Sequence, residues 1–147
     1  LQALVDRMRF GAPRRVAQGL DANRLAMLLA ILSRHAGVSL QEHDVFANVV
    51  GGLTLAETAT DLPLVLALAS SLRDRPLPQV LVAFGEVGLT GEVRPVAYGE
   101  ERLREAAKQG FKVAVVPPGN VPRKPIEGLA VRGVSRVTEA IAAAEAV

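Results

Sequence analysis

Residues 80–116 read VLVAFGEVGLTGEVRPVAYGEERLREAAKQGFKVAVV, and this stretch decides the fold. Val80–Glu86 is an apolar run of strand length with a buried character. Gly88-Leu89-Thr90-Gly91 reads as a hairpin turn into Glu92–Val96, because glycine is the usual residue where φ must be positive. A helix follows over Glu100–Gln109. Glu100 and Glu101 open it, where the helix dipole favours negative charge, and Gly110 closes it. Lys112–Val116 is a short apolar strand stopped by Pro117-Pro118-Gly119. This succession predicts helices packed on a sheet, and the hairpin makes that sheet mixed rather than purely parallel.

The same reading extends outward. Asp21 is a good N-cap for a helix over Ala22–Ala36, with His35 in its last turn and Gly37 as the stop signal. That helix is apolar nearly all round (Leu25, Met27, Leu28, Leu29, Ile31, Leu32), so it is expected to be covered on more than one side. Leu1–Arg9 reads as a strand or an incoming linker, Arg14–Leu20 as a strand, and Asp44–Val50 as a strand broken by Gly51-Gly52. Thr60 is expected to cap a second helix reaching about Asp74, with Pro63 in its first turn, and Arg75-Pro76-Leu77-Pro78 ends it. Leu129–Arg132 reads as a last strand, and Ser135 as the cap of a helix over Arg136–Ala146. The expected class is α+β, a single domain spanning 1–147 without repeats or long linkers.

Composition narrows the function. Half of the 147 residues are apolar but only 3% are aromatic, so the core is expected to be aliphatic. The single tyrosine, Tyr98, leaves little for base-stacking platforms. The absence of Cys excludes a disulfide framework, a thiolate zinc site and a cysteine nucleophile, and fits a cytoplasmic location. No apolar run is long enough to span a membrane. The chain opens on Leu1 rather than Met, as a piece of a longer protein would. The net charge of +2 hides an asymmetry. Arg7, Arg9, Arg14 and Arg15 face only Asp6 in the first 20 residues. Lys108, Lys112, Arg123, Lys124, Arg132 and Arg136 face only Glu127 over residues 108–136. Two basic segments on a near-neutral domain are what a phosphate-binding face looks like, or else solvated charge that fell unevenly.

Motifs for common chemistry are missing. No GxxxxGK[ST] loop and no GxGxxG after a strand occurs, so the usual nucleotide sites are absent. None of the five serines (Ser33, Ser39, Ser70, Ser71, Ser135) has a GxSxG surround. His35 and His43 flank a turn and read as ordinary surface or capping residues. Glu57 and Asp61 stand four apart at a helix start, where capping explains both.

Several stretches, in order and at consistent spacing, resemble one family. They are RVAQGLDANRLAMLLA (15–30), ANVVGGL (47–53), ETATDL (57–62), ASSLRDRPLP (69–78), FGEVGLTGEVRPV (84–96), EAAKQGF (105–111), and VVP (115–117) with NVP (120–122). Together they are similar to the C-terminal Lon-type domain of the bacterial RadA family of DNA repair proteins, and the resemblance covers essentially the whole chain. It implies a Lon-peptidase-like fold. It also implies a parent protein with a zinc finger and a RecA-like ATPase core, hence zinc, ATP and magnesium in the parent and no cofactor in this domain. The parent's expected activity is DNA-dependent branch migration by a ring, a hexamer. The expected partners are copies of itself, single-stranded or branched DNA and the RecA recombinase, with no membrane. Residues 7–11 (RMRFG) look like the family's KNRFG motif, which belongs upstream in the ATPase core, so the likeness is accidental.

The Lon peptidase domain works by a Ser–Lys dyad, in which an amine takes the hydroxyl's proton. The resemblance places Ala59, within Thr58-Ala59-Thr60-Asp61, at the nucleophile position. It places Glu100, within 95–103, at the lysine position. A methyl cannot attack a carbonyl, and a carboxylate reverses the local charge. The expected function is therefore a non-catalytic module for ring assembly and DNA binding, with Arg14, Arg15, Arg123 and Lys124 on the phosphate backbone. Pairing of some of these cations with a neighbouring subunit's acids is the competing role. The alternative activity is a Ser/Thr–Lys peptidase using Thr58 or Thr60.

Overall fold

The computed structural model describes residues 1–8, 11–49 and 57–147. Its strands are β1 (Gln2–Arg7), β2 (Arg15–Gln18), β3 (His43–Asn48), β4 (Leu81–Ala83), β5 (Glu86–Val87), β6 (Val93–Arg94), β7 (Val113–Val116) and β8 (Ala130–Gly133). Its helices are α1 (Ala22–Ala36), α2 (Asp61–Arg73), α3 (Gly99–Lys108) and α4 (Val137–Glu145). The α+β class holds. The Gly51-Gly52 break, Val50 and Arg9 lie outside the described residues.

α1 starts and stops where local chemistry dictates. The Asp21 carboxylate accepts from the Asn23 N–H, and Gly37 takes the left-handed conformation at φ 65° with its N–H on Leu32 O. Its buried residues, Leu25, Leu28, Leu29, Ile31 and Leu32, cover more than one side. α2 is buried more completely still, through Leu62, Leu64, Val65, Leu66, Leu68 and Ala69. The caps of α2 and α4 differ from expectation. Thr60 stands at the cap of α2, but its hydroxyl donates to Glu57 O at 2.9 Å instead of capping. α4 begins at Val137, and Ser135 Oγ donates to Glu139 Oε1 at 2.8 Å.

Among the described residues, three sheets replace the single mixed one. The first has the order β1-β3-β2, with β1 antiparallel and β2 parallel to β3. This sheet is mixed because of β1, not the hairpin. The second, β4-β7-β8, is wholly parallel. The hairpin β5-β6 forms a sheet of its own, pairing Glu86 with Arg94 and Val87 with Val93. The expected strand Val80–Glu86 therefore breaks. Phe84 N–H still bonds Val115 O at 3.3 Å, but Gly85 turns away at φ 154° and its N–H donates to Ala59 O at 3.0 Å. Any Cβ at Gly85 would come within 3.1 Å of Pro117 and Val93, so this departure from the sheet requires glycine.

β7 divides the interior by the period-two rule of strands. Val115 faces the larger core, built on α1, α2, α4 and β3. Ala114 and Val116 face a smaller one with Ala59, Phe84, Leu103 and Leu129. Asn120 locks the turn before α3: its side chain accepts from Val96 N–H and donates to Val96 O, both at 2.9 Å.

The hairpin tip carries a pH dependence. The Thr90 hydroxyl donates to Glu92, and the Arg94 guanidinium donates to Glu92 Oε1 at 2.8 Å. The Thr90 hydroxyl above all, with the backbone and Arg94, holds the Glu92 carboxyl down at about 2. A depressed folded value contributes stability that is present above the ordinary carboxylate range and is lost as pH falls toward 2. Glu92→Gln is expected to flatten the wild-type loss of thermal midpoint between pH 4.5 and about 2, measured by circular dichroism melts. A wild-type slope retained in the variant would contradict this.

Candidate nucleic-acid interface and the turn at Ala59

Ala59 lies in a 3-10 turn (Thr58–Thr60) directly before α2. It is buried in the smaller core against apolar side chains, including Phe84 and Leu103. The next carboxylate, Asp61, is not a cap. Among the described residues it is the one buried charge, 2% exposed. Arg24 of α1 grips both of its oxygens, with Nε at 2.7 Å from Oδ1, and Val87 N–H of β5 donates to Oδ2 at 3.0 Å. The hydrogen bond to Asp61 raises the Arg24 pKa above its ordinary value. Leu62 N–H donates to Gly85 O at 3.0 Å. The start of α2 is thus clasped by α1 on one side and by 85–87 on the other.

The structure sets Ala59 and Glu100 apart in environment. Ala59 is interior, whereas Glu100 is exposed and paired with Arg104 at 2.6 Å, one turn along α3. The α3 side chain that reaches toward the Ala59 turn is Arg102. It donates to Glu57 Oε1 at 2.9 Å and to Ala97 O at 3.0 Å, and its guanidinium carbon lies 5.9 Å from the Phe84 ring centre. Glu57 stands at the N-cap of the 3-10 turn, but its carboxylate makes no cap bond and pairs with Arg102 instead. Sequence reasoning passed over Arg102 and Arg24, although helix spacing marks the first. Gly99, Leu103 and Ala106 define the buried face of α3, and position 102 flanks it while position 100 does not.

The four cations assigned to DNA divide into two pairs. Arg14 is engaged within the chain: its N–H donates to Asp44 Oδ1 at 2.7 Å, its guanidinium lies 3.4 Å from Oδ2, and it stacks on Phe46 at 5.5 Å. The Arg14 N–H, above all, lowers the Asp44 pKa. Arg15 donates to the carbonyls of Leu40, at 2.8 Å, and His43. Arg123 and Lys124 are exposed in the loop between a 3-10 turn (Pro118–Asn120) and β8. Among the described residues, no carboxylate forms an ion pair with either of them, or with Lys108, Lys112, Arg132 or Arg136. The loop with Arg123 and Lys124 leads into β8, the edge strand that carries Arg132 opposite Val115 of β7, whereas Lys112 lies three register positions away, just before the central strand β7. Earlier in the chain, eight of the ten described cations do have carboxylate partners: Arg7, Arg14, Arg24, Arg73, Arg75, Arg94, Arg102 and Arg104.

Among the described residues no three of His, Cys, Asp and Glu gather as a metal ion requires, and no described helix is long and apolar enough to cross a membrane. With no Cys and no GxxxxGK[ST] loop in the sequence, this chain offers neither thiolates for zinc nor a phosphate loop for ATP.

Residues 23–120 match the family model described as subunit ChlI of Mg-chelatase. Relatives named DNA repair protein RadA match 96% of the chain: 60% identity over 141 residues in Salmonella typhimurium, 58% over 141 in Escherichia coli, and 46% over 143 in Bacillus subtilis. The chain spans 31% of the length of each of these relatives.

Asp61→Ala leaves the Arg24 guanidinium and the Val87 N–H without their acceptor. The expected loss is about 3 kcal/mol of unfolding free energy in urea titration, with Arg24→Ala and Asp61→Ala strongly non-additive. Additive losses would show that the pair does not couple α1 to α2.

Proposed function

The chain belongs to the family described as subunit ChlI of Mg-chelatase, and on that premise, joined to its homology with DNA repair proteins named RadA, we propose that it serves DNA repair as a non-catalytic module that binds the phosphate backbone and packs against copies of itself. The observation that carries the reading is the partition of cations. From Lys108 to Arg136, six basic side chains have no ion-pair partner among the described residues, while most earlier ones do. Surface cations left without acids, with Arg123 and Lys124 in one loop and Arg132 on the edge strand it leads into, suit a polyanion read without sequence preference. Single-stranded or branched DNA is the expected ligand. A Lon-peptidase-like ancestry accounts for the clasped turn at Ala59. The burial of a methyl there, and the engagement of the Thr60 hydroxyl by Glu57 O, support a scaffold role over peptide hydrolysis. In the parent protein such a module would sit in a ring, a hexamer, driven by a separate ATPase core, with RecA as a further partner.

The loop cations give the sharpest test. Arg123→Ala with Lys124→Ala is expected to weaken binding of a single-stranded oligonucleotide and to reduce the slope of log affinity against log salt by about 1.4, since each phosphate contact contributes roughly 0.7. Fluorescence anisotropy at several salt concentrations reads this directly. Arg14→Ala is expected to leave the slope unchanged, because that side chain is held by Asp44 and Phe46. An unchanged slope in the loop variant would remove this edge as the interface.

A further inference from the structure

We propose that the Tyr98 ring is a stacking position for one unpaired nucleobase of a single strand whose phosphates lie along Arg123 and Lys124, a placement that rests on the DNA-binding role proposed above. Tyr98 is 72% exposed. The other described aromatic residues are not exposed: Phe84 is buried in the smaller core, and Phe46 and Phe111 are half-buried. The backbone at Tyr98 is as unusual as its exposure. It sits at φ 61° and ψ 32°, in the left-handed region, which bulky side chains rarely take. The chain on both sides holds it there. Asn120 accepts from the Val96 N–H and donates to Val96 O. Arg102 Nε donates to Ala97 O at 3.0 Å. A Cβ at Gly99 would come 2.5 Å from Asn120 Nδ2. The turn is thus fixed by its neighbours, and the ring's attachment is set before a ligand arrives. A platform so placed loses little freedom on binding.

Asn120 also joins this turn to the cations. It ends the 3-10 turn Pro118–Asn120, and Arg123 follows three residues later, no more than about 10 Å along the chain. Val121 packs over Gly133 of β8 and pins the start of that loop. Arg123 and Lys124 are exposed and have no ion-pair partner among the described residues. The nearby acids decide what the ring receives. Glu57 is paired with Arg102, and Glu100 with Arg104. Glu101 in the first turn of α3 and Glu127 in the loop are exposed and form no ion pair among the described residues. Glu101 disfavours a phosphate at the ring itself, whereas the uncharged face of a base does not feel it as repulsion. The two chemistries therefore separate, with backbone on the loop and base on the ring. Every base has a π-face, so stacking selects unpaired bases without reading sequence.

Tyr98 is the single tyrosine of a chain without tryptophan, so tyrosine emission reports on this ring alone. Titrating the full chain with a labelled single-stranded oligonucleotide, followed by emission and by anisotropy, is expected to show quenching that saturates with binding. A strand of abasic sites is expected to bind more weakly and to quench little. Tyr98→Ala is expected to weaken single-strand binding about tenfold with an unchanged salt slope, and Tyr98→Phe to retain it. Tyr98→Gly, which suits φ 61°, is expected to melt no lower than the wild type by circular dichroism, yet to bind as weakly as Tyr98→Ala. Binding without quenching, or wild-type affinity in Tyr98→Ala, overturns the stacking and leaves the DNA reading standing. Affinity losses that track lowered melting points in both variants assign Tyr98 to the fold and overturn it too. A chain that binds no oligonucleotide overturns the stacking and the DNA reading together.

Discussion

A single buried carboxylate holds the parts of this fold in register. Asp61 is 2% exposed, and an ionised group so placed costs several kcal/mol unless its lone pairs are used. Arg24 and the Val87 N–H use them. Since attraction and desolvation roughly cancel in such pairs, the contribution is uniqueness more than net stability. Any packing that moves α1, α2 or β5 out of place strands a bare charge in the interior. α2 supplies much of the larger core, so fixing its first residue fixes the layer that the first sheet and α4 pack against.

The same constraint explains why the turn at Ala59 keeps its shape without a reactive group. Gly85 leaves the parallel sheet to donate to Ala59 O and accept from Leu62 N–H, and Val87 reaches Asp61 two residues later. The turn is held by backbone atoms and one carboxylate. None of these depends on the side chain at position 59, where a methyl completes an apolar cluster. The charge near that turn belongs to Arg102, which is already paired with Glu57 and laid against Phe84.

Local determinants were legible in the sequence, and distant ones were not. α1 could be read to the residue because Asp21 and Gly37 act on atoms a few positions away. The hairpin was legible from its glycines. Val80–Glu86 read as one strand because its apolar run is continuous; the break comes from an acceptor at Ala59, far off in the chain. Asp61 read as a cap because carboxylates at helix starts usually are, and its partner Arg24 lies 37 positions upstream. Among the DNA candidates, composition located both basic segments. It could not reveal that Asp44 and Phe46 hold Arg14, since that depends on the strand register that brings Arg14 beside β3. Glu100 takes its assignment from a motif resemblance, which says nothing of packing; that Arg102 is the α3 cation beside Glu57 and Phe84 depends on the fold.

Charge pairing therefore sorts the surface in a way net charge does not. A cation already beside a carboxylate must give up that partner to meet a phosphate, and the exchange is nearly neutral in water. A cation with no partner gains the full counterion-release term on meeting a polyanion. Under the proposed binding role, the segment from Lys108 to Arg136 would therefore be favoured over the N-terminal one at equal basicity. On the proposed reading, the edge of β8 and the loop before it would meet nucleic acid because their cations have no ion-pair partner among the described residues.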